Sequence, residues 1–345
     1  MVYFLYISII AIFLTGVFMD ELNIIKIIQN NLKYKGSSHV VKSIGDDCAV
    51  VGMGENNYLT ITTDMMFRSS HFPNILSPFQ IGHRVITANL SDIASMGAKP
   101  LGIVVSMGFN NPSKKFIEEL TKGINYATEL YCCPIIGGDT NKSKELTLCG
   151  TAFGIASNPL YRYNGNVGDD IVITNDIGKV YCAFKILEMI ETDKKHNNLI
   201  EEYSEIMEKL YMPIAQVKMG LLLNKYNYAS SCCDISDGLG KELFYMGNFE
   251  VKSKKLINAM PKIVIEFCNR FNLNPVEVAL NSGEEWELLF TTNKYDKINN
   301  ILNKYDNTKI IKLKKIGKII DKGHYLDDEI LHTSGYVHKW SDKNE

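Results

Sequence analysis

Five short clusters of aspartate carry most of what this sequence says about chemistry. They read Gly45-Asp46-Asp47, Thr62-Thr63-Asp64, Ser91-Asp92, Gly137-Gly138-Asp139-Thr140 and Asp234-Ile235-Ser236-Asp237-Gly238, each after a short apolar run and beside glycine or a hydroxyl side chain. Any one Asp-Gly step reads as a turn or a helix N-cap. Five of them, each placed where an apolar strand should end, point to one shared site, because α/β folds bind ligands at strand ends. Carboxylates brought within about 4–6 Å of one another do not all stay ionised unless cations sit among them. All-oxygen donors select Mg²⁺ or Ca²⁺ over zinc, and Mg²⁺ is commonly held by one or two carboxylates together with substrate phosphates. Such a site is a place where metal neutralises a polyphosphate. The chain has no G-x-x-x-x-G-K-[ST] loop and no H-R-D or D-F-G segment, so a nucleotide here would be held through metal bridges, glycine amides and an arginine. With no Ser-His-Asp or Cys-His constellation either, the pattern suits direct transfer without a covalent enzyme intermediate and names no catalytic base.

The elements that must position these acids follow from periodicity. Between Gly45 and Gly154, strand-like and helical segments alternate: Tyr58–Thr63, Pro78–Met96, Leu101–Met107, Lys114–Tyr131, Pro134–Ile136 and Leu146–Ile155, an α/β pattern. Ser77-Pro78 offers an N-cap followed by proline at the first helical position, and Gly97 with Pro100 stops the same helix. The breaker-rich stretch after Ile155 marks a domain boundary, giving 20–155 and 156–345 as the two domains that 345 residues predict. In the second domain the pattern predicts a strand at Asp170–Thr174, a helix near Val180–Glu191, a charged surface stretch near Glu201–Lys209, a helix at Pro213–Leu223, a run Ala229–Cys233 leading into Asp234, and a helix from Leu239.

With 37 basic and 39 acidic side chains the net charge is −2, so no global field draws the chain to nucleic acid. The eight cysteines form no C-x-x-C pair and read as reduced structural thiols of a cytoplasmic protein. Residues 1–19 are an uncharged apolar leader at the lower limit of a membrane span. No basic residue precedes it and Asp20-Glu21 follow at once; it reads as an over-extended start, an anchor, or a buried element, and only an anchor would bring membrane contact. From Met19 onward, Leu22, Ile25, Ile28 and Leu32 fall at helical spacing.

Ser43-Ile-Gly-Asp-Asp-Cys-Ala-Val, Leu59-Thr-Ile-Thr-Thr-Asp-Met with His71-Phe72, Ala88-Asn-Leu-Ser-Asp-Ile-Ala-Ser-Met-Gly-Ala, Ile136-Gly-Gly-Asp-Thr, Cys233-Asp-Ile-Ser-Asp-Gly-Leu and Ser282-Gly-Glu-Glu-Trp-Glu-Leu together resemble the thiamine-monophosphate kinases, in the superfamily of aminoimidazole ribonucleotide synthetase. The resemblance runs from about Asp20 to Tyr336. It implies a two-domain α/β (α+β) fold, with an N-terminal mixed sheet forming a barrel at a homodimer interface and a C-terminal α/β domain completing the site. It implies ATP-dependent phosphorylation of thiamine monophosphate to thiamine diphosphate, assisted by several Mg²⁺ ions. It also implies roles: Asp47, Thr62, Thr63, Asp64, Asp92, Asp139, Asp234 and Asp237 as metal ligands; Gly138, Asp139, Arg162 and Ser236 as nucleotide contacts; His71, Glu284 and Tyr336 as substrate contacts. Three positions depart from the family pattern: Glu285 stands for aspartate, Trp286 for tyrosine, and Thr121 where many members carry a nucleotide-contacting tyrosine. Related synthetases, the hydrogenase-maturation type among them, and a nucleotide-binding module without turnover are the alternatives. The chain's last cysteine is Cys268, far from the C terminus, which disfavours the hydrogenase-maturation reading.

Overall fold

The computed structural model describes residues 19–32, 38–163, 165–305, 311–332, 335–336 and 339–340, in two units. In the smaller, strand β1 (Met19–Asp20) pairs antiparallel with the strand Lys339–Trp340. The helix Glu21–Asn31 follows, started by Asp20, whose carboxylate accepts from the Asn23 amide at 2.8 Å. The helical spacing read from Leu22 onward is thus realised, with Leu22, Ile28 and Leu32 exposed. Most of the apolar leader, residues 1–18, lies outside the described residues; among those described, no helix is long and apolar enough to cross a membrane.

The larger unit, Ser38–Gly335, holds two sheets. The first is mixed and six-stranded, from β2 (Val40–Lys42), β3 (Ala49–Gly54), β4 (Asn57–Phe67), β5 (Lys99–Phe109), β6 (Ile135–Lys142) and β7 (Thr147–Ala156), in the order β2-β3-β4-β7-β5-β6. The second has seven strands: β8 (Asp170–Thr174), β9 (Ser231–Asp234), β10 (Phe249–Val251), β11 (Leu288–Thr292), β12 (Leu313–Ile319), β13 (His324–Leu326) and β14 (Glu329–Ile330), in the order β14-β13-β10-β12-β8-β11-β9. The mixed α/β two-sheet reading holds. The barrel does not exist within the single chain: β2 and β6 are opposite edges of an open sheet, with no hydrogen bonds joining them.

One face of the first sheet is covered by the helix Pro78–Ser95, which begins as expected with a reciprocal Ser77–Gln80 capping box and proline in its first turn. It is buried on nearly every side. Close approach explains the glycines of that face: a Cβ on Gly150 of β7 would lie 2.3 Å from Asn89 of the helix, and one on Gly154 2.7 Å from Thr60 of β4. The helix Lys114–Tyr131 packs behind through another glycine contact, since a Cβ on Gly123 would stand 1.8 Å from the Phe79 carbonyl. Gly123→Ala should therefore destabilise the fold by about 1–3 kcal/mol, the usual cost of overpacking. Denaturant unfolding measures this, and a wild-type midpoint would mean the helices are free to separate.

Element positions differ from expectation in three places. Strands β4 and β6 run past the predicted ends, so Asp64 and Asp139 sit inside strands. The reason is pairing: β4 stays in register with β7 as far as Phe67↔Thr147, and β6 with β5 as far as Lys142↔Phe109. Gly138 permits the latter, because a Cβ there would meet the Val105 carbonyl at 2.2 Å. The charged stretch near Glu201–Lys209 folds into helices Leu199–Glu202 and Ser204–Tyr211 that bury Ile206, Met207 and Leu210 while Glu201, Glu202, Glu205 and Glu208 stay exposed. The helix placed at Pro213 starts at Val217.

Candidate functional site

The C-terminal half of the Pro78–Ser95 helix ties β4 and β9 together through three polar side chains. Asn89 accepts the Asp64 amide of β4 through Oδ1 at 3.3 Å and donates to the Val85 carbonyl at 2.9 Å. Ser91 donates to Asp234 Oδ2, at the end of β9, at 2.5 Å. Asp92 accepts from Thr62 of β4 at 2.5 Å. The Asn-Leu-Ser-Asp segment is thus a set of struts, and it carries one of the acids itself.

The struts bring Asp47, Asp92 and Asp234 together, with one carboxylate oxygen from each within 4.8 Å of the others. Asp64 and Asp237 lie close enough for their charges to be felt. Burial first, then Asp234 and Asp237, push the Asp64 carboxyl up to about 6. Asp234 is likewise pushed up to about 6, by burial and Asp237 against the pull of hydrogen bonds from Ser91 and Ser236 and of the Arg162 charge. Asp92 goes well above the usual carboxylate range through burial, Asp64 and Asp234. Glu242, in the helix Leu239–Met246, reaches about 8, chiefly through burial.

These groups fit a hard cation. Asp47 Oδ2 is buried without a hydrogen-bond partner, whereas Asp46 Oδ2 faces Lys42 Nζ at 3.6 Å; a buried acidic oxygen without a donor calls for a positive charge. All the donors are oxygens. Two oxygens on one Mg²⁺ at about 2.1 Å stand at most about 4.2 Å apart, so the trio would have to draw together to share one Mg²⁺.

Arg162 borders the trio. It ion-pairs with Asp47, its backbone amide donates to Asp46 Oδ1 at 3.3 Å, and its guanidinium lies 4.4 Å from the centre of the Tyr245 ring. Asp237 pairs with Lys241 at 2.5 Å. Glu284 is reached through the backbone: its amide donates to the Ser236 carbonyl at 2.6 Å.

Other residues singled out from the sequence fall elsewhere. Thr63 turns to the opposite face of β4, where its hydroxyl donates to the Gly150 carbonyl at 2.9 Å. His71 lies in the turn after β4; the Phe67 amide donates to its Nδ1 at 3.2 Å, which puts the proton of the neutral ring on Nε2. Gly138 and Asp139 occupy edge strand β6, in the row Asp64–Gly150–Val105–Gly138 across the sheet. Three strand steps separate that edge from Asp64, about 14 Å. Asp139 there accepts from Asn141 at 2.6 Å. Thr121 donates to the Ile117 carbonyl of its own helix at 2.8 Å. Tyr336 belongs to the smaller unit.

The two departures after Gly283 have structural reasons. Glu285 Oε1 accepts from the Gly178 amide at 2.7 Å, the Val180 amide at 3.3 Å and the Ser282 hydroxyl at 2.6 Å. It thereby caps the helix Lys179–Thr192, whose own N-cap residue, Gly178, has no side chain to do so. Trp286 is buried beneath the guanidinium of Arg84, 4.7 Å from its ring centre. Glu287 takes Lys209 at 2.6 Å and Thr174 at 2.6 Å. Of the three acids that flank Trp286, Glu285 and Glu287 are structural anchors. Sequence reasoning missed Arg84 and Glu242; the signal for Arg84 was a lone cation in an otherwise uncharged helical run from Pro78 to Ser91.

Comparison with known proteins bears on the family and the fold. The profile of the AIR synthase related protein, N-terminal domain, matches residues 45–156. The chain is 51% identical over 328 residues to the thiamine-monophosphate kinase of Methanocaldococcus jannaschii, spanning 93% of this chain and 100% of that one. It is 34% identical over 254 residues to the thiamine-monophosphate kinase of Pyrococcus horikoshii, spanning 73% and 78%. In fold it is similar to the solved structure described as AaThiL complexed with AMPPCP and TMP, with a TM-score of 0.78 at 24% identity over 92% of this chain and 97% of that one.

Proposed function

The chain belongs to the thiamine-monophosphate kinase family, and from that membership we infer that it transfers the γ-phosphoryl group of ATP to thiamine monophosphate, yielding ADP and thiamine diphosphate. The observation that carries the reading is the convergence of Asp47, Asp92 and Asp234 beside Arg162. The acceptor is a phosphate monoester with a second pKa of about 6, already anionic at neutral pH, so no side chain need remove a proton from it. The task is to hold two anions in line.

Asp47, Asp64, Asp92, Asp234 and Asp237 are the residues that would hold Mg²⁺, with Thr62 orienting Asp92. Bound there, Mg²⁺ supplies the positive charge that offsets repulsion between donor and acceptor phosphates. Arg162, fixed by Asp46, Asp47 and the Tyr245 ring, presents its remaining donors to the nucleotide phosphates. Ser236 offers a hydroxyl beside them. Glu284, His71 and Tyr336 are assigned to the thiamine phosphate, with the Glu284 carboxylate answering its cationic ring. Thr63 contributes to the metal site through its backbone in this reading, since its hydroxyl is turned away.

Gly138 and Asp139 lie at the edge of an open sheet, and we place them in the nucleotide and metal site of a homodimer. The uncovered face of that sheet carries Leu59, Ile61, Met65 and Leu101, none of them buried, and β6 exposes Ile135 and Ile136. An apolar sheet face of this kind is what a second copy would cover in closing the barrel. Residues 20–155 then serve as the ATP and Mg²⁺ domain and 156–345 as the domain that completes the substrate site. The eight free thiols suit a cytoplasmic enzyme.

The test is direct. Purified protein with ATP, Mg²⁺ and thiamine monophosphate should form ADP and thiamine diphosphate in equal amounts by chromatography. ADP without thiamine diphosphate, or neither, would sink the assignment.

A further inference from the structure

Arg84 is among the largest fully buried side chains of the protein. Its Nη1 donates to the Leu210 carbonyl at 3.1 Å, near the end of the helix Ser204–Tyr211, and its Nη2 pairs with Glu284 Oε2. The flat of the guanidinium rests on Trp286, while its Nε is buried without a partner. One side chain thus joins the Pro78–Ser95 helix, a helix end and the loop before β11. That loop is unusual. Glu284 at φ +53° and Trp286 at φ +49° are both left-handed without being glycine. Such backbone persists only where surroundings over-determine it, and Arg84 grips both residues, one by charge and one by stacking.

We propose that Arg84 is a positioning residue for the substrate side of the site: it fixes the Glu284 carboxylate so that the acid meets the cationic ring of thiamine monophosphate. The proposal rests on the reaction and the Glu284 assignment inferred above. Oε2 is committed to Arg84, yet the Glu284 side chain keeps 24% of its surface exposed, so the side chain is held without being sealed off. Asp237 adds negative charge nearby, and the arginine keeps Glu284 oriented within that crowded acidic field. The geometry calls for arginine specifically, since lysine has neither the planar fork nor the stacking surface.

Arg84→Lys preserves the charge and loses the fork. It should raise the KM for thiamine monophosphate about tenfold, with kcat and the KM for ATP within about twofold of wild type. Glu284→Gln should raise the same KM, and the double variant should be no worse than Glu284→Gln alone, because Arg84 acts through that carboxylate. An unchanged KM for thiamine monophosphate, additive effects in the double variant, or a loss confined to kcat would each overturn the proposal. Should Arg84→Lys not fold, fluorescence carries the test. Trp286 and Trp340 are the two tryptophans, so in a Trp340→Phe background thiamine monophosphate should alter Trp286 emission while ATP alone does not; no change refutes the role. A wild type that never phosphorylates thiamine monophosphate fails at the reaction itself, whereas an active enzyme whose Arg84→Lys form keeps its KM fails only here.

Discussion

Asp92→Asn should remove phosphoryl transfer and at the same time raise the thermal midpoint of the metal-free protein. The two effects share one cause. In the absence of metal, Asp92 is buried against Asp64 and Asp234, and its carboxyl lies well above the usual range because all three disfavour charge. Asparagine keeps the shape and can still accept from Thr62, but carries no charge to repel its neighbours. What it relieves is chiefly the burial of an ionisable carboxyl, with the charges of Asp64 and Asp234 second, a cost that falls on the native state and not on the unfolded one. A metal site without this carboxylate should lose about three orders of magnitude in kcat.

Asp47→Asn is the control of opposite sign. Asp47 is paired with Arg162, whose side chain is largely buried, so its loss leaves a buried cation partly uncompensated. Turnover should fall as far, but the metal-free midpoint should drop. Calorimetry in EDTA separates the two variants. Near wild-type turnover of Asp92→Asn, or a drop in its midpoint matching that of Asp47→Asn, would remove Asp92 from the metal site.

This contrast marks what sequence could and could not say. Asp47, Asp92 and Asp234 come together from clusters that couple an apolar run to a glycine or hydroxyl, whereas Asp64 and Asp139 sit inside strands that run past the expected ends, Asp139 on the sheet edge. Which acids are held apart by arginine and which are forced together depends on contacts 44 to 143 positions apart in the chain, such as Cys48 with Asp92 and Ser91 with Asp234. Those contacts carry no local periodicity. Arg84 was illegible for a related reason. An arginine inside a helix ordinarily reads as a solvated face or a snorkelling stem, and only the 200-position separation to Glu284 makes it an anchor. Glu285 and Trp286 looked like departures in the substrate contacts, but Glu285 caps a neighbouring helix and Trp286 supports Arg84. The expected barrel spans a homodimer interface, which a single chain does not contain. The strands were found, but whether a sheet closes depends on which edges meet, and one chain leaves both edges free.

Mg²⁺ should stabilise the protein in a way that depends on pH with a definite sign. In the metal-free state Asp64 and Asp234, at about 6, and Glu242, at about 8, hold protons more tightly folded than unfolded. A carboxyl raised on folding is neutral in the native state while ionised in the unfolded one, so these groups take stability away as pH rises from about 4 to about 8. Other carboxylates titrate across the same range, which makes the difference between Mg²⁺ and EDTA the informative quantity. Cation binding needs these acids ionised. The midpoint gained from Mg²⁺ should therefore be small at pH 5, grow through pH 6 and approach a plateau near pH 8. Titration calorimetry at pH 6 in two buffers of different ionisation enthalpy should register protons released on binding. In Asp92→Asn, both the gain and the proton release should shrink together. A gain from Mg²⁺ that is flat between pH 5 and pH 8, or binding without proton release at pH 6, would mean that the cation sits away from Asp64, Asp92 and Asp234.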